Sequence, residues 1–222
     1  MPYYPSFAFF EKPVQIESIA RVMVEKLGSE LPEIGFEISN ADGGKTIVTE
    51  NHESVLQFLE KEGQISRFWL ASEFHSIDCM LMQNGYLAVD FWDFDSEVYN
   101  SGGPSEEMRA SKRRLALMLH TTLIRNCDAL LSYTSSADDK YSGPDGHYET
   151  GDMVIDLIRS RKSDVFLQIL QRPLFFWLVG LRKPTAIANL LEAQLQKDFG
   201  DVYQENDIAI FEHKTNRPFF LE

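Results

Sequence analysis

The chain has 222 residues, of which 44% are hydrophobic, 25% charged and 12% aromatic. This composition excludes a disordered chain, a collagen-like fibre and a small disulfide scaffold, and it suits one large domain. The charge is less ordinary: 21 Lys and Arg face 34 Asp and Glu, a net of −13.

In chain order, Gln15 to Leu27 reads as a helix. Ile16, Ile19, Ala20, Met23, Val24 and Leu27 recur at three- and four-residue steps, and Gly28 is a natural stop. Gly35 to Ile38 and Lys45 to Thr49 read as short strands, with turn residues from Asn40 to Gly44 between them. His52 to Lys61 reads as a second helix. Ile65 to Phe74, Ile77 to Gln83 and Tyr86 to Phe94 are rich in aromatic and β-branched residues. Asn84-Gly85 supplies the positive φ angles that a tight hairpin needs, so these three runs are expected to form an antiparallel meander over about 65–94.

Ser101 to Pro104 breaks the chain and is the one weak candidate boundary. A long helix is expected over about 105–126, capped by Ser105 with Glu106 and Glu107 at its positive end. Leu115, Leu119 and Thr122 form one stripe on it, and Leu117, His120 and Ile124 a second, so its later half is expected to be buried on two sides. Ala129 to Thr134 and Leu174 to Leu181 read as strands. Pro184 to Phe199 reads as a helix ended by Gly200, and Ile208 to Glu212 as a last strand. Ser135 to Thr150 is the longest loop. Helices and antiparallel strands without a regular βαβ rhythm indicate an α+β fold in a single domain, 1–222. The helix-strand-turn-strand pattern at 15–49 is loosely echoed at 184–212.

No run of about 20 apolar residues is present, and the start carries no basic segment followed by an apolar stretch. With Cys79 and Cys127 read as free thiols, the expectation is a cytoplasmic protein without a membrane span.

The charge is unevenly distributed. Residues 68–108 carry eight acids and no Lys or Arg, and residues 126–158 carry seven acids and only Lys140. Between them, residues 109–125 carry five bases and no acid. Both acidic stretches are interleaved with aromatic residues, which give contact area beside charge. The expected partner-binding residues are therefore Asp90, Trp92, Asp93, Asp95 and Glu97 in the first stretch. In the second they are Asp138, Asp139, Asp145 and Glu149. An immunity or inhibitor protein that docks a basic protein is one job for such a surface.

Two other readings compete. One is a metal-assisted hydrolase with a carboxylate site at Asp93 and Asp95, helped by His75. Strand parity sets Asp93, Asp95 and Glu97 on one face and Asp90 on the other, and no further ligand sits at regular spacing. The other is a structural subunit docking through Phe7 to Phe10 and Phe219-Phe220. No phosphate-binding glycine loop, zinc-binding helix or nucleophile elbow is present, and no catalytic residue, metal ligand or cofactor is assigned. Arg109, Lys112, Arg113, Arg114 and Arg125 are expected to pair with the chain's own acids rather than with nucleic acid. His120, among apolar positions, is expected to be a hydrogen-bonded core histidine.

Overall fold

A computed structural model describes residues 3–38, 45–61, 65–73, 75–81, 87–92, 105–135 and 176–215. The described residues form ten strands: β1 (Tyr3–Phe9), β2 (Glu33–Ile38), β3 (Lys45–Thr49), β4 (Ile65–Ala71), β5 (Ser76–Leu81), β6 (Leu87–Trp92), β7 (Leu131–Ser135), β8 (Phe176–Arg182), β9 (Phe199–Gln204) and β10 (Ile208–His213). The described helices are α1 (Ile16–Leu27), α2 (His52–Lys61), α3 (Glu106–Thr121), which runs on into a π-helical turn over Thr122–Asn126, and α4 (Ala186–Asp198). The strands form a single antiparallel sheet in the order β3-β2-β4-β5-β6-β1-β7-β8-β10-β9. The chain is thus α+β, and β4-β5-β6 is the expected meander. The Asn84-Gly85 turn itself lies outside the described residues.

Pleating decides which residues face the helices. Register carries one row of side chains across the sheet: Phe36, Phe68, Cys79, Val89, Ser6, Thr134 and Leu178. In the meander half this row is apolar, and Phe36, Phe68, Cys79 and Val89 are all buried. Helices α1, α2 and α3 cover this face. Helix α1 packs on β4 and β5, Phe58 of α2 stacks on Phe36 at 5.0 Å between ring centres, and Arg113 of α3 reaches Glu212 of β10.

Helix α4 lies on the reverse face, for a reason of handedness. Strands β1 and β8 run in the same direction. From β1 the chain crosses through α1 to the parallel strand β2 on one side, and from β8 through α4 to β9 on the other. Strand-helix-strand crossovers are right-handed in nearly all proteins, so crossovers leaving in opposite directions put their helices on opposite faces. Burial agrees: all six residues of β10 are buried, whichever face they point to. On the reverse face of β2 to β5, by contrast, Val48 is 54% and Met80 39% exposed.

Several local expectations are corrected. Helix α4 ends at Asp198, and Phe199 opens β9, where the sequence suggests helix through Phe199. The α-helix expected to about 126 changes to a π-turn at Thr122. Gly28 does end α1, as expected, and it does so with an ordinary φ of −62°. What it provides is room, because a Cβ there would meet the His52 ring at 2.5 Å. Lys112, on the helix segment expected to present a charged face, is buried at 1% exposure. Strand β1, absent from the sequence reading, sits between β6 and β7 and joins the two halves. The echo between 15–49 and 184–212 is not one of topology: β2 lies inside β3, whereas β9 lies outside β10.

Gly35 is required by the opposing strand. The Trp69 indole lies flat over it, and a Cβ at that position would overlap the ring. Gly35→Ala is expected to lower the unfolding free energy by about 1–3 kcal/mol through forced displacement of the ring. Urea unfolding followed by circular dichroism tests this, and unchanged stability would show that the ring moves at no cost.

Candidate functional site

The two acidic stretches leave the described structure at one end of the sheet. Trp92, last in β6, is paired with Tyr3, and Thr134, near the end of β7, with Ser6. Both strands flank β1 and run in the same direction. Their ends therefore lie about 9–10 Å apart, two strand spacings, on the side where β1 begins. Within β6, Asp90 stands opposite Asp78 and Pro5, and Trp92 opposite Ser76 and Tyr3. Asp93, Asp95, Glu97, Asp138, Asp139, Asp145 and Glu149 lie outside the described residues.

The same end of the sheet carries further acids. Glu33 opens β2, Glu50 follows β3, and Glu73 sits in the turn between β4 and β5; all three are exposed. Glu106 and Glu107 occupy the exposed first turn of α3, where Ser105 Oγ accepts the Met108 amide at 3.2 Å. These acids suit the helix's positive end.

Three arginines of the basic segment, Arg113, Arg114 and Arg125, are occupied elsewhere. Arg113 forms a two-pronged pair with Glu212, at 3.1 Å and 2.8 Å. Glu212 also accepts the Trp177 indole N–H at 2.9 Å, and it is 5% exposed. The pairing raises the affinity of Arg113 for its proton above the ordinary value. Arg114 pairs with Glu30 at 2.7 Å. Arg125 pairs with Glu205 at 2.6 Å and Asp207 at 3.2 Å, and its guanidinium lies 5.8 Å from the Tyr203 ring centre. None of these four acids belongs to residues 68–108 or 126–158. The negative charge of the two acidic stretches is therefore not spent on these three arginines. Each stretch does give up one described acid: Asp78 to Arg67, through both carboxylate oxygens, and Asp128 to Arg182 at 2.7 Å.

Catalytic readings find less. His75 and Asp78 do not form an acid/base couple: the His75 ring bonds the Ser111 hydroxyl at 3.1 Å, while Asp78 holds Arg67. Among the described residues, no three His, Cys, Asp or Glu side chains converge as metal ligands. Asp93 and Asp95 lie outside that set. Among the described residues Cys79 and Cys127 form no disulfide, and burial pushes Cys127 up to about 12, away from nucleophilic character.

One polar cluster escaped the sequence reading. His120 is the expected core histidine, fully buried, and both ring nitrogens are engaged. Nδ1 lies 2.6 Å from Ser132 Oγ and Nε2 lies 2.8 Å from Thr134 Oγ1, which in turn is 2.7 Å from Ser6 Oγ. These hydroxyls come from β1 and β7, and a Cβ on Gly180 would press on Ser132 at 2.7 Å. The arrangement has the residue types of a nucleophile relay, but Ser6, Ser132 and His120 have no exposed surface and Thr134 is 1% exposed, so no substrate reaches it. It satisfies buried polar groups where β1 and β7 meet α3. The only sequence signal available was the alternation of Ser132 and Thr134 within an otherwise apolar strand.

No protein-family model, curated protein or solved structure matches the chain. Among the described residues, no helix is long and apolar enough to cross a membrane.

Burial pushes His120 down to about 3. The unfolded chain protonates this histidine below about 6.5, whereas the folded protein does not until about 3. Its contribution to stability is therefore complete above pH 6.5 and is lost progressively toward pH 3. At pH 5 the loss amounts to about 2 kcal/mol relative to pH 7.5. Urea unfolding of the wild type and His120→Gln at both pH values isolates this histidine from the carboxylates. Equal pH slopes in the two proteins would overturn the assignment.

Proposed function

We propose that this chain is a protein-interaction module that docks a basic protein partner, working as an immunity or inhibitor protein does, in the cytoplasm. The contact residues are Asp90, Trp92, Asp93, Asp95 and Glu97, together with Asp138, Asp139, Asp145 and Glu149. One observation carries the reading: Arg113, Arg114 and Arg125 are bound to acids outside both stretches, at 2.6–2.8 Å. Acids that these three arginines leave unneutralised repel other acidic molecules and attract basic ones.

Two further features support it. The strands leading into the two stretches end side by side around β1, so one partner surface can engage both. Glu33, Glu50 and Glu73 add negative charge at the same end of the sheet. A nucleic-acid role is disfavoured, because Arg113, Arg114 and Arg125, which could bind phosphate, are already paired with acids. The reading assigns no cofactor and no metal.

Replacing Asp93, Asp95 and Glu97 together with Ala is expected to weaken partner binding by about 10- to 1000-fold, at about 1 kcal/mol or more per removed contact. It is also expected to flatten the dependence of affinity on salt. Partner capture with the wild-type protein, followed by calorimetric titration at two ionic strengths, measures both. Unchanged affinity for the captured partner would sink the proposal.

A further inference from the structure

The two edges of the sheet are built differently. At one edge, β9 is shielded in the ways natural sheets shield edges. Its pairing with β10 shifts register between Ile210 and Phe211, and it carries Gly200 and the exposed Asp201. At the other edge, β3 pairs with β2 without interruption through five residues, from Lys45 to Thr49. It contains no proline and no bulge, and its one charge, Lys45, stands at its start. Between lie Thr46, Ile47, Val48 and Thr49, a β-branched run, and Val48 is 54% exposed. Among the described residues, nothing pairs with the outer side of β3.

Such an edge offers unpaired backbone N–H and C=O groups to an extended segment, and the charges around it select the segment. From Glu33 to Glu60, the described exposed ionisable residues are Glu33, Glu50, Glu53 and Glu60 against Lys45 alone. None of these four acids forms an ion pair among the described residues. A second copy of the chain would bring the same acids against each other, so the charge disfavours self-pairing.

We propose that β3 is a docking edge for an extended, basic segment of a protein partner, added as an eleventh strand. The added strand runs antiparallel to β3, as every neighbouring pair in the sheet does. Its N-terminal half then lies beside Glu50 and its C-terminal half beside Lys45, so its lysines or arginines belong in the N-terminal half. Main-chain hydrogen bonds supply the affinity, and the acids supply the choice of partner. This inference rests on the reading of the partner as a basic protein, and it names the form in which that protein is recognised.

The probe is a fluorescein-labelled peptide of about ten residues, alternating valine and threonine, with two lysines in its N-terminal half. Fluorescence anisotropy measures its binding to the full chain. Expected results are saturable binding to the wild type, loss of about tenfold or more in affinity with Val48→Lys, and a change below about twofold with Met80→Lys. Met80 is exposed on the reverse face of β5, three strands in from the edge. N-methylation of alternate peptide amides, which removes donors, is expected to abolish binding. Circular dichroism and a urea midpoint close to wild type confirm that each variant is folded.

No binding to the wild type, equal binding by Val48→Lys, or equal binding of the N-methylated peptide would overturn the inference. Equal binding of a peptide with glutamates in place of the lysines would overturn the selection by charge. The variant lacking Asp93, Asp95 and Glu97 separates the two proposals. If it binds the peptide normally while losing the captured partner, both stand. If it keeps both, the docking edge stands and the acidic-stretch reading fails.

Discussion

A strand-helix-strand crossover returns the chain on one face only, and that handedness organises this sheet. Three crossovers, through α1, α2 and α3, deliver their helices to the same face because the chain's direction and its sideways step reverse together. The fourth, through α4, steps outward without reversing direction, and its helix goes to the other face. The consequences run through the molecule. Strands β8 and β10 are sandwiched and read as continuous apolar runs, while β2 to β5 keep one face toward solvent. On that open face Arg67 lies over Trp69, 5.9 Å from its ring centre, and is clamped by Asp78 and Glu37.

The meander was legible because the reverse face of β4 and β5 stays partly open to solvent at Arg67, Trp69 and Met80, which leaves alternation and aromatic runs in the sequence. Strand β1 was not legible for the opposite reason. Its Phe7 and Phe9 share one face while Ser6 and Ala8 share the other, where α3 approaches closely and only small side chains fit. Together with Pro5, that small-and-large alternation does not look like the edge of a core. Strand β9 was hidden by its junction: the helical pattern runs up to Asp198 with no turn residue before Phe199, which is buried in either conformation. The run expected as a strand over 174–181 contains β8 from Phe176 onward, whose neighbours on both sides and helices on both faces leave no polar position before Arg182 to mark a period.

The electrostatic design was only half readable. Counting charges along the chain locates an acidic excess and a basic interruption, but not which acids answer which bases. The answers span long sequence separations: Arg114 finds Glu30, Arg113 finds Glu212, and Arg125 finds Glu205 and Asp207. Through these three arginines the basic helix ties the two ends of the chain together. The His120 cluster is similarly non-local. Its hydroxyls are placed by the register of β1 and β7, and a buried, neutral imidazole there joins helix and sheet without adding charge to the core.

Strand β1 also sets a clock. It lies at residues 3–9, yet its two neighbours are completed only at residues 92 and 135. At about 5–20 residues per second of synthesis, roughly 6–25 s separate its appearance from that of its second partner. Until residue 92 is made neither hydrogen-bonding edge has a native mate, one edge still has none until residue 135, and Phe7, Phe9 and Phe10 meanwhile lack their full core. Closing loops of that length is slow for any chain, because the entropy of closure precedes the contacts that offset it. The strand that unites the finished sheet is therefore the one that depends most on protection while the sheet is being made.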